Sequence, residues 1–114
     1  VIEDEPAVLR LVAESLRSAG YEVHTAGGPE EAIQVAKQLG SALALIVSDV
    51  VIPRRGGPEI VADIRIPVPP VRALFMSGNA DAAQANEGHP IHDPLLPKPF
   101  TTKALLKAVE AVLS

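Results

Sequence analysis

Residues 43–49 read LALIVSD, an unbroken aliphatic run that ends on a serine and an aspartate. A run without polar alternation is typical of a central parallel strand that is buried on both faces. Short apolar runs alternate with helical patterns on either side of it, which is the signature of an α/β fold with a parallel sheet. The stretch therefore predicts the middle of such a sheet and places Ser48 and Asp49 at the carboxyl end of its strand.

The same patterns place the remaining elements around this strand. Glycine and proline mark most of the element ends, since glycine favours helix C-caps and proline is tolerated in the first helical turn. We expect further strands at residues 1–2, 21–26, 71–76 and 95–96, and helices at residues 6–20, 29–40, 58–64, 81–86 and 102–113. The length of the chain leads us to expect one domain over residues 1–114, whose first strand is cut short.

Composition narrows the classes of function. The chain has 114 residues, a net charge of -4 and an aromatic content of 3%. An acidic chain poor in stacking groups argues against nucleic-acid binding and favours a protein partner. The longest apolar run, residues 42–47, is far shorter than the roughly 20 residues that span a bilayer, so we expect no membrane contact. The absence of cysteine fits a reducing cytoplasm.

Charged and polar residues stand at the carboxyl ends of the predicted strands. Glu3 and Asp4 follow the first strand and Asp49 ends the third. Ser77 follows the fourth strand and Lys98 follows the fifth. Ligands bind at these ends in an open parallel sheet, so we expect the five side chains to converge.

The residue types at these strand ends indicate a chemistry. Crowded carboxylates repel one another unless a cation intervenes, and oxygen ligands suit hard Mg²⁺. A hydroxyl and an ammonium beside them suit the oxygens of a transferred phosphoryl group. The nucleophile in such a site would be a carboxylate.

Four separated motifs carry a family resemblance. VIEDEP at residues 1–6, DVVIPRRGG at 49–57, FMSG at 75–78 and LPKPF at 96–100 resemble, in order, the signatures of response-regulator receiver domains of two-component signalling. The resemblance covers essentially the whole chain. It implies a flavodoxin-like, doubly wound sheet of five parallel strands in the order 2-1-3-4-5, with helices on both faces.

The resemblance also implies roles for particular residues. Asp49 matches the phosphorylated aspartate, Ser77 the Ser or Thr switch, and Lys98 the invariant lysine of the family. In such domains a metal ion, Mg²⁺ or Mn²⁺, is held by three carboxylates and one backbone carbonyl. The matching positions in this chain are Glu3, Asp4, Asp49 and the carbonyl of Val51.

Further positions agree with the family, and one departs from it. Pro53 and Gly57 match residues that follow the acceptor, and Pro99 matches a proline that follows the lysine through a cis peptide bond. Leu95 stands where the family often has an aromatic residue, so we do not expect switching through an aromatic rotamer. The phrases FMSGN and LPKPFTTKALL are more similar to receivers attached to hybrid histidine kinases than to those of DNA-binding regulators.

The resemblance implies a phosphoacceptor that takes a phosphoryl group onto Asp49 from a phosphohistidine of a histidine kinase or a histidine phosphotransfer protein. Such a domain is not an enzyme on its own, beyond self-catalysed transfer and slow autodephosphorylation, and it can form a homodimer. The alternative is a pseudo-receiver that docks a partner without being phosphorylated. A hydrolytic phosphatase is disfavoured, because Val51 stands where a general acid would be needed.

Overall fold

The computed structural model describes residues 1–78 and 92–114. Its helices and strands are α1 (Pro6–Ser18), α2 (Pro29–Leu39), β1 (Leu45–Asp49), α3 (Gly57–Ile64), β2 (Arg72–Ser77), β3 (Leu95–Pro97) and α4 (Thr102–Leu113). A short 3-10 helix at Gly40–Ala42 separates α2 from β1. Within the two described ranges, no helix combines the length and the apolar character needed to cross a membrane.

The strands of the described residues form a parallel sheet. β1 lies beside β2, with Asp49 opposite Met76, and β2 lies beside β3. On the other side of β1, Ile2 makes parallel bridges to both Ser48 and Ala26. The spatial order is therefore Ala26, Ile2, β1, β2 and β3, which confirms the predicted order 2-1-3-4-5.

Helices cover both faces of the sheet because side chains alternate along each strand. Ile46 of β1 and Phe75 of β2 belong to the core that packs against α2 and α3. Val47 and Leu74, their neighbours in sequence, belong to the core that packs against α1 and α4. Each core is built almost wholly from aliphatic side chains. The predicted flavodoxin-like, doubly wound architecture is thus confirmed.

Local residue chemistry ends the helices close to where the sequence predicts. Gly20 follows α1 with a φ of 97°, and Gly40 closes α2 with a φ of 53°. Both angles lie in the left-handed region, which glycine adopts without steric cost. At the start of α4, the hydroxyl of Thr101 accepts a hydrogen bond from the backbone N–H of Ala104 at 3.0 Å. This N-cap fixes the start of the last helix behind β3.

Three predicted strands differ from the structure. Residues 21–25 form no ladder and Ala26 makes one isolated bridge, because the neighbouring first strand supplies Ile2 alone as a bridge partner. β1 begins at Leu45, later than predicted, because the 3-10 turn precedes it. It continues through Asp49, whose N–H donates to the carbonyl of Ile2 at 3.1 Å. The helix predicted at residues 81–86 lies outside the described residues.

Candidate functional site

The acidic residues reach the site because the start of the chain docks beside β1. The N–H of Ile2 donates to the carbonyl of Val47 at 2.8 Å, and the N–H of Asp49 donates back to the carbonyl of Ile2 at 3.1 Å. The N–H of Glu3 donates to the carbonyl of Ala26 at 3.1 Å. These backbone bonds hold Glu3 and the residue after it at the same sheet edge as Asp49.

Three carboxylates meet at this edge. Glu3, Asp4 and Asp49 each offer one oxygen, and the three oxygens lie within 4.8 Å of one another. Glu3 is 1% exposed and Asp49 is 6% exposed, whereas Asp4 is exposed to solvent. The cluster therefore has a buried floor and one open side, through which a small ligand can enter.

The buried floor is electrostatically unsatisfied. Burial raises the pKa of Glu3 to about 8, and the adjacent Asp49 carboxyl group adds to the rise. Glu3 Oε2 and Asp49 Oδ1 are buried and have no hydrogen-bond partner among the described residues. Buried polar atoms without partners are costly, and a hard divalent cation would satisfy both oxygens at once. The donor set therefore fits Mg²⁺ or Mn²⁺.

An ammonium group lies on the other side of Asp49. Lys98 Nζ donates to Asp49 Oδ2 at 2.8 Å, and the lysine side chain is 31% exposed. The backbone N–H of Lys98 donates to the carbonyl of Ser77 at 2.8 Å, which ties the residue to the end of β2. The peptide bond between Lys98 and Pro99 is cis. The charge of Lys98 can thus offset that of Asp49 and can reach a group attached to it.

The two remaining predicted site residues lie close to this arrangement in the chain. Ser77 is the last residue of β2, is buried, and directly follows Met76, the strand partner of Asp49. Val51 follows β1 in an irregular segment, and its side chain is largely exposed. The side chains of Glu3, Asp49 and Lys98 are brought together as predicted. The roles of Glu3, Asp4, Asp49, Ser77, Lys98 and the Val51 carbonyl stay predictions.

A close backbone approach explains Gly57, for which the sequence alone shows no physical cause. A Cβ atom at Gly57 would overlap the carbonyl oxygen of Asp49 and would lie 2.8 Å from Ser48 Oγ. Ser48 is fully buried, and its hydroxyl donates to the same carbonyl oxygen at 2.8 Å. The first turn of α3 therefore packs directly under Asp49. The position of Gly57 in the DVVIPRRGG motif indicates that this glycine belongs to the site. No feature of the sequence indicates the same for Ser48.

Comparisons with known proteins agree with this geometry. The chain is 37% identical to the sensor kinase CckA of Brucella abortus (strain 2308) over 99% of its own length, but it spans 12% of that kinase. The crystal structure of the receiver domain of the hybrid histidine kinase CckA has a TM-score of 0.82 at 31% identity, covering 99% of this chain and 95% of that one. A response regulator receiver protein from Sinorhizobium medicae WSM419 has a TM-score of 0.82 at 28% identity, covering 98% and 90%.

A family model matches most of the chain. The model of the response regulator receiver domain matches residues 1–110, which is nearly the whole sequence. The matched stretch contains every residue of the acidic cluster together with Ser77 and Lys98. Fold, site and family model agree: the chain belongs to the response regulator receiver domains of two-component signalling.

Proposed function

We propose that this receiver domain, formed by residues 1–114, accepts a phosphoryl group on Asp49 from a phosphohistidine of a histidine kinase or a histidine phosphotransfer protein. One observation carries the proposal: Asp49 lies between two acidic neighbours and the ammonium of Lys98, at 2.8 Å. A carboxylate so placed has a site for a divalent cation on one side and a positive charge on the other. That combination suits phosphoryl transfer, in which negative charge must be neutralised.

The metal ion, Mg²⁺ or Mn²⁺, would be held by Glu3, Asp4, Asp49 and the backbone carbonyl of Val51. When bound, it supplies positive charge to the phosphoryl oxygens and relieves the repulsion between the carboxylates. The two partnerless buried oxygens of Glu3 and Asp49 support this donor set. The solvent-exposed position of Asp4 supports entry of the ion from that side.

The residues of the chain perform the rest of the reaction. The carboxylate of Asp49 attacks the phosphorus in line as the N–P bond of the phosphohistidine breaks, and the departing imidazole nitrogen takes a proton from water. Lys98, which contacts Asp49 Oδ2 before transfer, donates to an oxygen of the arriving group. The hydroxyl of Ser77 donates to another such oxygen. The product is an acyl phosphate on Asp49.

The same site limits what the domain does alone. We propose that it catalyses only its own phosphorylation and a slow hydrolysis of the acyl phosphate, and that it is not an enzyme in its own right. We further propose that it acts in the cytoplasm on protein partners, without direct contact to nucleic acid or membrane. The acidic net charge of -4 supports a protein partner over a nucleic acid.

Intact-mass measurement after incubation with acetyl phosphate and Mg²⁺ tests the proposal. We expect one added phosphoryl group, which a chelator of divalent metal prevents. A chain that keeps its mass under these conditions, while still binding a histidine kinase, would favour the pseudo-receiver that docks without being phosphorylated. Addition of a phosphoryl group in the presence of the chelator would contradict the metal site.

A further inference from the structure

The strand that precedes Lys98 is short. β3 has three residues, and Leu96 is its one buried side chain. Pro94 and Pro97, at either end of the strand, have no N–H and cannot donate to the ladder. A three-residue strand with few donors makes few ladder hydrogen bonds, so it opens more easily than a longer strand.

The ladder pairs Phe75, Met76 and Ser77 of β2 with Leu95, Leu96 and Pro97, and two further backbone hydrogen bonds flank it. The N–H of Phe75 donates to the carbonyl of Pro94 at 2.9 Å, and the N–H of Lys98 donates to the carbonyl of Ser77 at 2.8 Å. A slip by one residue would move the backbone by about 3.3 Å and would turn Leu96 away from the core. It would also break the 2.8 Å contact between Lys98 Nζ and Asp49 Oδ2.

A forked ion pair holds the chain just before β3. Arg65 donates through both terminal nitrogens to the carboxylate of Asp93, at 3.1 Å and 2.8 Å. Its Nε donates to the carbonyl of Val71 at 3.1 Å, directly before β2. Arg65 follows the last residue of α3, so this one side chain joins α3, the start of β2 and the start of β3.

The ion pair differs from a mobile surface pair. The side chains of Arg65 and Asp93 are 33% and 23% exposed, and the parallel fork fixes both position and direction. The hydrogen bond to Asp93 raises the pKa of Arg65 above its usual value. By comparison, Arg54 and Glu30 form a similar fork with side chains that are 68% and 75% exposed. The pair at Asp93 is therefore better shielded from solvent than the pair at Glu30.

We propose that Arg65 is a positioning residue for Lys98: its fork to Asp93 sets the register of β3 and so holds the ammonium against Asp49. The role in phosphoryl transfer rests on the proposed function. The effect on register does not, because it follows from the position of Asp93 immediately before Pro94 and β3. Arg65 acts through the strand and does not contact the reacting atoms.

Hydrogen exchange on the metal-free chain tests the register directly. In Arg65→Gln and in Asp93→Asn, we expect exchange at the amides of Phe75 and Lys98 to rise by about tenfold or more, because loss of the fork lets β3 open. The amide of Val50, bonded to the carbonyl of Met76, should keep its protection. Unchanged exchange at Phe75 and Lys98 in both variants overturns the proposal, whether or not the chain is phosphorylated.

Phosphorylation kinetics test the link to Lys98. In Arg65→Gln, we expect the rate with acetyl phosphate to fall by about fivefold while Mg²⁺ affinity stays within about twofold, since the acidic cluster is untouched. Arg65→Lys should not restore the rate, because an ammonium cannot form the fork. Arg72→Gln is the matched control. Arg72 is the first residue of β2, but its side chain donates to the carbonyl of Val112 in α4 and not to Asp93.

A double-mutant cycle separates positioning from general destabilisation. If Arg65 acts through Lys98, adding Arg65→Gln to Lys98→Ala should cause no further loss of rate. If the double variant lost rate by the product of the two single losses, Arg65 would act independently of Lys98. That result would overturn the positioning role. A parent chain that accepts no phosphoryl group would sink the proposed function, and the exchange experiment would still decide the register claim.

Discussion

The carboxylates and the ammonium of the site rest on unequal supports. Asp49 ends a five-residue strand that has neighbours on both sides, and backbone hydrogen bonds join it to Ile2. Lys98 follows a three-residue strand bounded by prolines, and its side chain is 31% exposed. The acidic side of the site, formed by Glu3 and Asp49, is therefore buried in the core. The lysine side, formed by Lys98, depends on a short strand for its position.

Under the proposed function, this difference separates two roles. A nucleophile and metal ligands must hold a fixed geometry before the reaction, which burial in a central strand provides. A group that reports the reaction to a surface must be able to move, and weakly held elements open most easily. We therefore expect loss of the buried Asp49 carboxylate to abolish the chemistry. Changes on the lysine side should give graded effects on rate and on the conformational response.

The largest expected effect is the loss of the acceptor. Asp49→Asn should add no phosphoryl group with acetyl phosphate and Mg²⁺, because an amide lacks the nucleophilic carboxylate. Intact mass reads the result directly, with Asp63→Asn as a control that changes a carboxylate of α3 outside the cluster. Labelling of Asp49→Asn at the parent level would show that another residue accepts the phosphoryl group. The proposed contrast between the two sides of the site would then be wrong.

The second effect is a pH dependence of stability. The pKa of Glu3 is raised from 4.5 to about 8 in the metal-free fold, so the folded state holds a proton that the unfolded state has lost between these values. The free energy of unfolding of the metal-free chain should therefore fall as pH rises from about 4.5 to 8. Denaturant titrations at several pH values measure this fall.

Two comparisons sharpen the assignment of that fall to Glu3. Glu3→Gln removes the ionisation, so its unfolding curve should lose this part of the pH dependence and should lie above the parent near pH 8. Saturating Mg²⁺ should flatten the parent curve, because the ion stabilises the ionised carboxylate. Parallel pH profiles for Glu3→Gln and the parent would remove the case for an unsatisfied buried acid.

The third effect concerns the open side of the cluster. Asp4→Ala should weaken Mg²⁺ binding by about tenfold or more, about 1.4 kcal/mol, because one of the three carboxylates is lost while the other two remain. Calorimetric titration measures the affinity, and Glu5→Ala, a neighbouring acid outside the described cluster, is the control. Equal Mg²⁺ affinity in Asp4→Ala and the parent would make Asp4 a solvated charge ahead of α1.

The same contrast explains what the sequence could predict. The aliphatic run of residues 43–47 and the acid at its end identify a buried strand by composition alone, so Asp49 was located correctly. The ends of α1 and α2 followed from Gly20 and Gly40. These features depend on neighbours in the chain, which a sequence displays directly.

Features that depend on distant contacts were harder to predict. Residues 21–25 have a strand-like pattern but no ladder, because pairing depends on what lies alongside. The packing of Gly57 beneath Asp49 joins residues on different elements, and no local pattern gives its cause. The fork between Arg65 and Asp93 joins residues 28 apart in the chain. The sequence therefore located Lys98 but gave no sign of the contact that holds the chain before β3.

The smallest expected effect, and the most informative one, lies at Lys98. Lys98→Ala should still accept a phosphoryl group, about fivefold more slowly, because the acidic cluster and Ser77 remain. Its phosphorylation-dependent change in amide exchange over residues 92–106 should be smaller than in the parent, since the charge-assisted bond from β3 to Asp49 is lost. Leu95 stands where receiver domains often have an aromatic residue. The exchange response of the parent chain should therefore be a shift of β3 rather than a ring flip. An equally large exchange response in Lys98→Ala would show that phosphorylation reaches β3 by another route, and the lysine side would then have no separate signalling role.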